Sequence, residues 1–161
     1  MILNVDEILE IAEQIERNGI AFYERAAERF QGDEKRTLLG LANMERNHER
    51  AFASMRRELA DADEGLTAFD PEGEAEKYLA AIADGKIFDL KADPLALLGQ
   101  QESVQGILGL AIDLEKDSVV FYVAIKDAVP ESLGKDKIDK IIKEEMDHIL
   151  LLSGIRSSLA K

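Results

Sequence analysis

The stretch "KEEMDHILLL", residues 143–152, begins as a charged helix surface and ends as apolar core. His148 stands where one gives way to the other, three residues after Glu145. The chain contains two histidines. The other, His48 in "NMERNHERAF" (43–52), lies three residues after Glu45 and 100 residues before His148. Helix residues three apart project from one side, so each pair presents a carboxylate and an imidazole together. What matters is which way that side faces.

Periodicity answers this. From Asn4, a candidate N-cap with Glu7 as its capping-box partner, a helix is predicted to about Phe30. Its seam runs Leu9, Ala12, Glu16, Gly19, Tyr23, Ala26 and Phe30, at alternating steps of three and four. In "QGDE" (31–34), Gly32 can end this helix and Asp33 can start the next. The second seam reads Leu38, Leu41, Glu45, His48, Phe52, Met55 and Leu59. Both Glu45 and His48 therefore lie on the side predicted to be buried.

The second half repeats the first. Adding 99 to the first seam gives Leu108, Ala111, Glu115, Ser118, Tyr122, Ile125 and Val129. Adding 100 to the second gives Ile138, Ile141, Glu145, His148, Leu152, Ile155 and Leu159. "ERNGIAFY" (16–23) and "EKDSVVFY" (115–122) both open on glutamate and close on Phe-Tyr. Two similar helical hairpins, related by a pseudo-two-fold axis, are the expected architecture. The midpoint of Glu16 and Glu45 falls in the first break, and that of Glu115 and Glu145 falls on Pro130. All four glutamates thus stand about 20 Å from their turns, at one level of one bundle, with the histidines one turn away. The intervening segment 63–102 is too long for a tight turn. It carries a short helix predicted at 73–83 and an Asp93-Pro94 pair suited to opening a short helix or the third long one early. The fold predicted is an all-α four-helix bundle, one domain over 1–161, with hairpins at 5–62 and 103–160 joined by that crossover.

Four carboxylates and two imidazoles would converge inside this bundle. Uncompensated, each buried carboxylate costs several kcal/mol or takes up a proton. Two divalent cations balance Glu16, Glu45, Glu115 and Glu145, with His48 and His148 neutral. The oxygen-rich, nitrogen-containing set suits iron or manganese. Glu144, one residue off the seam, is read as outside the site. The zincin pattern is absent, because Met44 and Glu144, not histidine, precede the two glutamates. Tyr23 and Tyr122, each seven residues after a glutamate, can lean back toward the centre and hydrogen-bond a ligand, or serve as core tyrosines. Gly19 and Ser118 are small enough either to allow close packing or to leave room beside the metals.

Composition narrows the function. The chain has 161 residues, 46% hydrophobic and 33% charged, as an ordinary globular protein does. Its net charge of −13 argues against nucleic acid or anionic membranes as partners. No signal peptide or bilayer-spanning run is visible, so a cytoplasmic location is expected. With no cysteine, the chain cannot itself hold a disulfide, an iron–sulfur cluster or a rubredoxin-type iron.

Glu16, Glu45-x-x-His48, Glu115 and Glu145-x-x-His148, with the two Phe-Tyr pairs, resemble the ferritin-like superfamily of di-iron carboxylate proteins, and within it the rubrerythrins. The resemblance covers both hairpins. It implies two iron ions, with manganese or a mixed centre as alternatives, bridged by Glu45 and Glu145. Glu16, Glu115, His48 and His148 would be terminal ligands. It further implies reaction of the reduced centre with peroxide or dioxygen. Two departures stand out: Ser118 occupies a position where rubrerythrins usually carry a further glutamate, and no rubredoxin-like domain can be built without cysteine. Electrons would therefore come from a separate donor. Alternatives are ferritin-type iron oxidation and storage, or a non-enzymatic, metal-stabilised helical module. A homodimer is expected, and the long crossover would permit exchange of hairpins between its chains.

Overall fold

The computed structural model describes residues 5–61, 72–73, 77–78, 81 and 93–160. Four long helices dominate: α1 (Val5–Ala27), α2 (Gly32–Asp61), α4 (Val104–Ile125) and α5 (Lys135–Leu159). A short α3 (Pro94–Gly99) precedes α4, and a 3-10 turn (Glu131–Leu133) precedes α5. The fold is an all-α bundle. α1 packs on α2 and α4 on α5, each as a hairpin, while α1 also meets α4 and α2 meets α5. No helix among the described residues is long and apolar enough to cross a membrane.

The predicted seams account for the interior. Every seam residue from Leu9 to Leu152 is buried except Gly19, which is half-buried. The apolar core forms two clusters. One gathers Ile8, Phe52, Met55, Phe121, Ile125 and Ile138 toward the end of the bundle that holds the 3-10 turn. The other gathers Phe22, Leu38, Leu41, Ile107, Leu108 and Leu152 toward the first interhelical turn. The glutamate and histidine positions lie between them, so a polar layer divides an otherwise continuous hydrophobic interior.

Element ends differ from the sequence reading in three places. α1 stops at Ala27 rather than near Phe30, because the chain tightens into successive i to i−3 bonds from Glu28, Arg29 and Phe30. That turn still rolls Phe30 into the second cluster. Gly32, at φ +59°, opens α2 instead of closing α1. At the far end the seam stops at Leu152: Ile155 is half-buried, and Leu159 is 43% exposed. α4 begins at Val104, and the Gln105 side chain already bonds the Arg156 carbonyl at 3.1 Å. The last residues of α5 therefore extend past the helix that would cover them.

Asp93-Pro94 does open a separate short helix: the Asp93 side chain accepts from the Leu95 N–H at 2.9 Å and caps α3. Leu98 of α3 joins the second cluster. Ser103 caps α4 by accepting from the Gly106 N–H at 3.0 Å. The capping box expected of Asn4 and most of the helix expected at 73–83 lie outside the described residues, as does most of the crossover.

Between the 3-10 turn and α5 the chain passes through Gly134 at φ +93°, whose carbonyl accepts from the Lys137 N–H at 2.8 Å. An L-residue in this left-handed region is strained by about 1–2 kcal/mol. Gly134→Ala is expected to lower unfolding free energy in urea by about that amount without changing the denaturant slope. An unchanged midpoint would show that the turn relaxes freely.

Candidate metal centre

The helical register delivers the six side chains to one place. Glu16 comes from α1, Glu45 and His48 from α2, Glu115 from α4, and Glu145 and His148 from α5. None is more than 4% exposed. They form two overlapping groups whose donor atoms lie within 4.8 Å of one another: Glu16, Glu45, His48 and Glu145, and Glu45, Glu115, Glu145 and His148. Glu45 and Glu145 belong to both. The imidazole rings lie nearly parallel, 5.8 Å apart between centroids.

Both histidines aim Nδ1 at the carboxylates. His48 Nδ1 stands 3.1 Å from Glu145, 3.4 Å from Glu45 and 3.6 Å from Glu16. His148 Nδ1 stands 2.9 Å from Glu145, 3.2 Å from Glu45 and 3.4 Å from Glu115. Despite these distances, both Nδ1 atoms, Glu45 Oε1 and both Glu145 oxygens are buried and make no aligned hydrogen bond. Buried polar atoms are rarely left so, and here they converge within the same two overlapping groups. Donors that converge without bonding one another fit a pair of cations: four carboxylates would balance two divalent ions, and each group offers one nitrogen and three carboxylates.

The tyrosines close the polar layer crosswise. Tyr23 of α1 donates its hydroxyl to Glu115 of α4, and Tyr122 of α4 donates to Glu16 of α1. Each phenol thus reaches the glutamate of the other hairpin rather than that of its own helix. Burial, reinforced by the adjacent carboxylates, pushes both phenols well above the ordinary tyrosine range, so they stay donors. Phe52 and Phe121 pack against the Tyr122 ring, with centroids 5.2 and 5.6 Å away. A Cβ added at Gly19 would come within 3.3 Å of Glu45 Cγ, so the missing side chain lets this shared carboxylate lie against α1. Ser118 turns its hydroxyl to the Leu114 carbonyl of its own helix at 3.1 Å, away from the cluster.

One contact was not legible in the seam. Glu144, read as outside the site, reaches across from α5 and lies 2.8 Å from His48 Nε2. The seam rule sorts residues by their own helix's buried side, whereas Glu144 lies at its border, half-buried and toward α2. An acidic residue beside the seam at the level of the facing histidine was the available signal.

Without metal, protons balance the charge. Burial alone would lower the His148 pKa, but Glu115, Glu145 and Glu45 outweigh it and push it up to about 12. His48 is likewise raised, with Glu145, Glu16 and Glu45 overcoming burial. Burial and the neighbouring carboxylates lift Glu115 to about 8 and Glu16 well above the usual range. For Glu45, burial is outweighed by contacts with Glu16 and the histidines, and the carboxyl falls below that range.

No family model and no curated protein matches the chain. Among solved structures, it is similar to a chain from Thermotoga maritima provisionally described as a ferritin-like diiron-carboxylate protein. Identity is 25%, the match covers 98% of this chain and 97% of the other, and the TM-score is 0.68. The chain belongs to the ferritin-like superfamily. This ferritin-like bundle and its buried Glu/His cluster fit the binding of two metal ions.

Proton loading gives a pH prediction for the metal-free protein. A group with a raised folded pKa contributes stability that is complete below its unfolded value and is lost as pH rises through the folded value. For Glu115 that window runs from 4.5 to about 8, and for His148 from 6.5 to about 12. Chelator-treated protein should therefore be less stable at about pH 9 than at about pH 6 in denaturant titrations. Metal displaces these protons, so the stabilisation added by metal should grow over the same range. Metal-free stability that rises with pH would contradict this protonation pattern.

Proposed function

We propose that the chain is a di-iron oxidoreductase of rubrerythrin-like type, reducing peroxide or dioxygen with electrons from a separate donor. The observation that supports this most is the pair of overlapping donor sets sharing Glu45 and Glu145. Glu16, Glu45, His48 and Glu145 would hold one iron. Glu45, Glu115, Glu145 and His148 would hold the other. Such a pair supplies two electrons as it passes from ferrous to ferric, which with two protons reduce hydrogen peroxide to two waters.

The chain's own groups have definite tasks around that chemistry. Tyr23 and Tyr122 orient the outer carboxylates Glu115 and Glu16 through their hydroxyls. Among the described residues, neither hydroxyl reaches the two shared carboxylates. The apolar clusters on either side of the layer exclude bulk water from the donors and limit loss of a reactive oxidant. Gly19 preserves the space that Glu45 occupies, and its replacement by alanine would press on a shared ligand. With no cysteine, this chain carries no internal rubredoxin-type relay, so an external reductant completes the cycle.

Anaerobically reduced, iron-loaded protein is expected to be oxidised stoichiometrically by hydrogen peroxide, much faster than by dioxygen, in stopped-flow absorption measurements. Comparable or slower reaction with peroxide would remove the peroxidase assignment. Elution as a large hollow assembly that accumulates a mineral core would replace it with iron storage. Bound metal that stabilises the fold but never changes oxidation state would leave only a structural role.

A further inference from the structure

The two halves of the centre have matching ligands but unequal support. His48 Nε2 lies 2.8 Å from Glu144 Oε2. A carboxylate accepts, so Nε2 carries the proton of this bond, and Nδ1, which faces Glu16, Glu45 and Glu145, is the nitrogen left to give up its proton and ligate a metal. Glu144 is itself steadied by Lys140, 3.6 Å away on the same helix. His148 lacks such support: its Nε2 is buried and has no hydrogen-bond partner among the described residues. The repeat shows the origin of the difference. The residue preceding the first-hairpin ligand Glu45 is Met44, and the one preceding Glu145 is Glu144. A thioether cannot serve as the strong acceptor that an imidazole N–H requires.

A second asymmetry accompanies the first. His48, Glu144, Lys137, Lys140 and Met44 line a surface cavity of about 360 Å³. The cavity walls include no other member of the ligand set. The half of the centre built on His48 is thus both better supported and nearer to solvent.

We infer that Glu144 is a positioning residue that makes the two metal positions inequivalent, so that the position at His48 fills first and more tightly. The inference rests on the two-metal reading of the six side chains. A hydrogen-bonded carboxylate fixes the tautomer and ring orientation of a ligating imidazole and increases its basicity. The metal at His48 receives that help. At His148 the Nε2 N–H meets no acceptor among the described residues, so that ring gains no such help.

The test is titration of chelator-treated, full-length protein with manganese(II), followed by electron paramagnetic resonance and equilibrium binding. In the unaltered chain, the first equivalent should give the signal of isolated ions. The second should convert it to that of coupled pairs. Glu144→Ala should weaken the first step about 10- to 100-fold, as loss of such a support typically does, and leave the second nearly unchanged. Glu144→Gln, which keeps an acceptor but not the charge, should fall between. A purely structural role for Glu144 would shift both steps together or neither. Two ions bound in one indistinguishable step, or equal weakening of both steps by Glu144→Ala, would overturn the inference while leaving the two-metal reading intact. Failure of the unaltered chain to bind any manganese or ferrous ion would overturn both.

Discussion

The structure turns on the burial of four glutamates and two histidines in one layer of a helical bundle. Carboxylates at that depth are tolerated only when something supplies compensating charge. The metal-free chain does so by retaining protons on both imidazoles and on part of the carboxylate set. Two divalent cations would do so without strain on ordinary protonation states. The arrangement around the layer follows from this constraint. Hydrophobic clusters lie on both sides, tyrosine hydroxyls hold the outer carboxylates, and a glycine makes room for an inner one.

Duplication of a helical hairpin provides an economical way to build such a centre. One hairpin brings two glutamates and one histidine, and a two-fold-related copy doubles the set. Cross-hairpin bonds from Tyr23 to Glu115 and from Tyr122 to Glu16 then make each half dependent on the other. Symmetry is broken beside the ligands rather than among them. Met44 and Glu144 occupy repeat-related positions, yet only Glu144 offers an imidazole N–H a strong acceptor. Chemical differences between two metal positions can therefore arise without any change of ligand type.

Much of this was visible in the sequence because helical periodicity carries burial directly. The three-four spacing placed Glu16, Glu45, His48, Glu115, Glu145 and His148 on buried seams, and turn midpoints placed them at one level. What periodicity does not carry is which helix lies beside which. The tyrosines were recognised as able to reach a ligand, but their crossing to the opposite hairpin depends on α1 lying against α4. Glu144 was set aside for the same reason: it borders its own seam and finds its partner on α2. The early end of α1 reflects competition between helix continuation and a tighter turn, which apolar spacing alone does not register. Leu159 kept the spacing but lost burial because α5 outlasts its neighbour.

The central claim is that the six side chains form one two-metal centre, and metal content tests it most directly. Protein freed of metal, loaded anaerobically with ferrous ion and stripped of unbound ions should retain two ions per chain, one for each overlapping donor set. The variant Glu45→Gln, altered at a carboxylate common to both sets, should lose capacity at both positions while keeping its helical content. A folded chain that retains no metal under these conditions would contradict the account, as would an E45Q variant that still holds two ions as tightly as the unaltered protein.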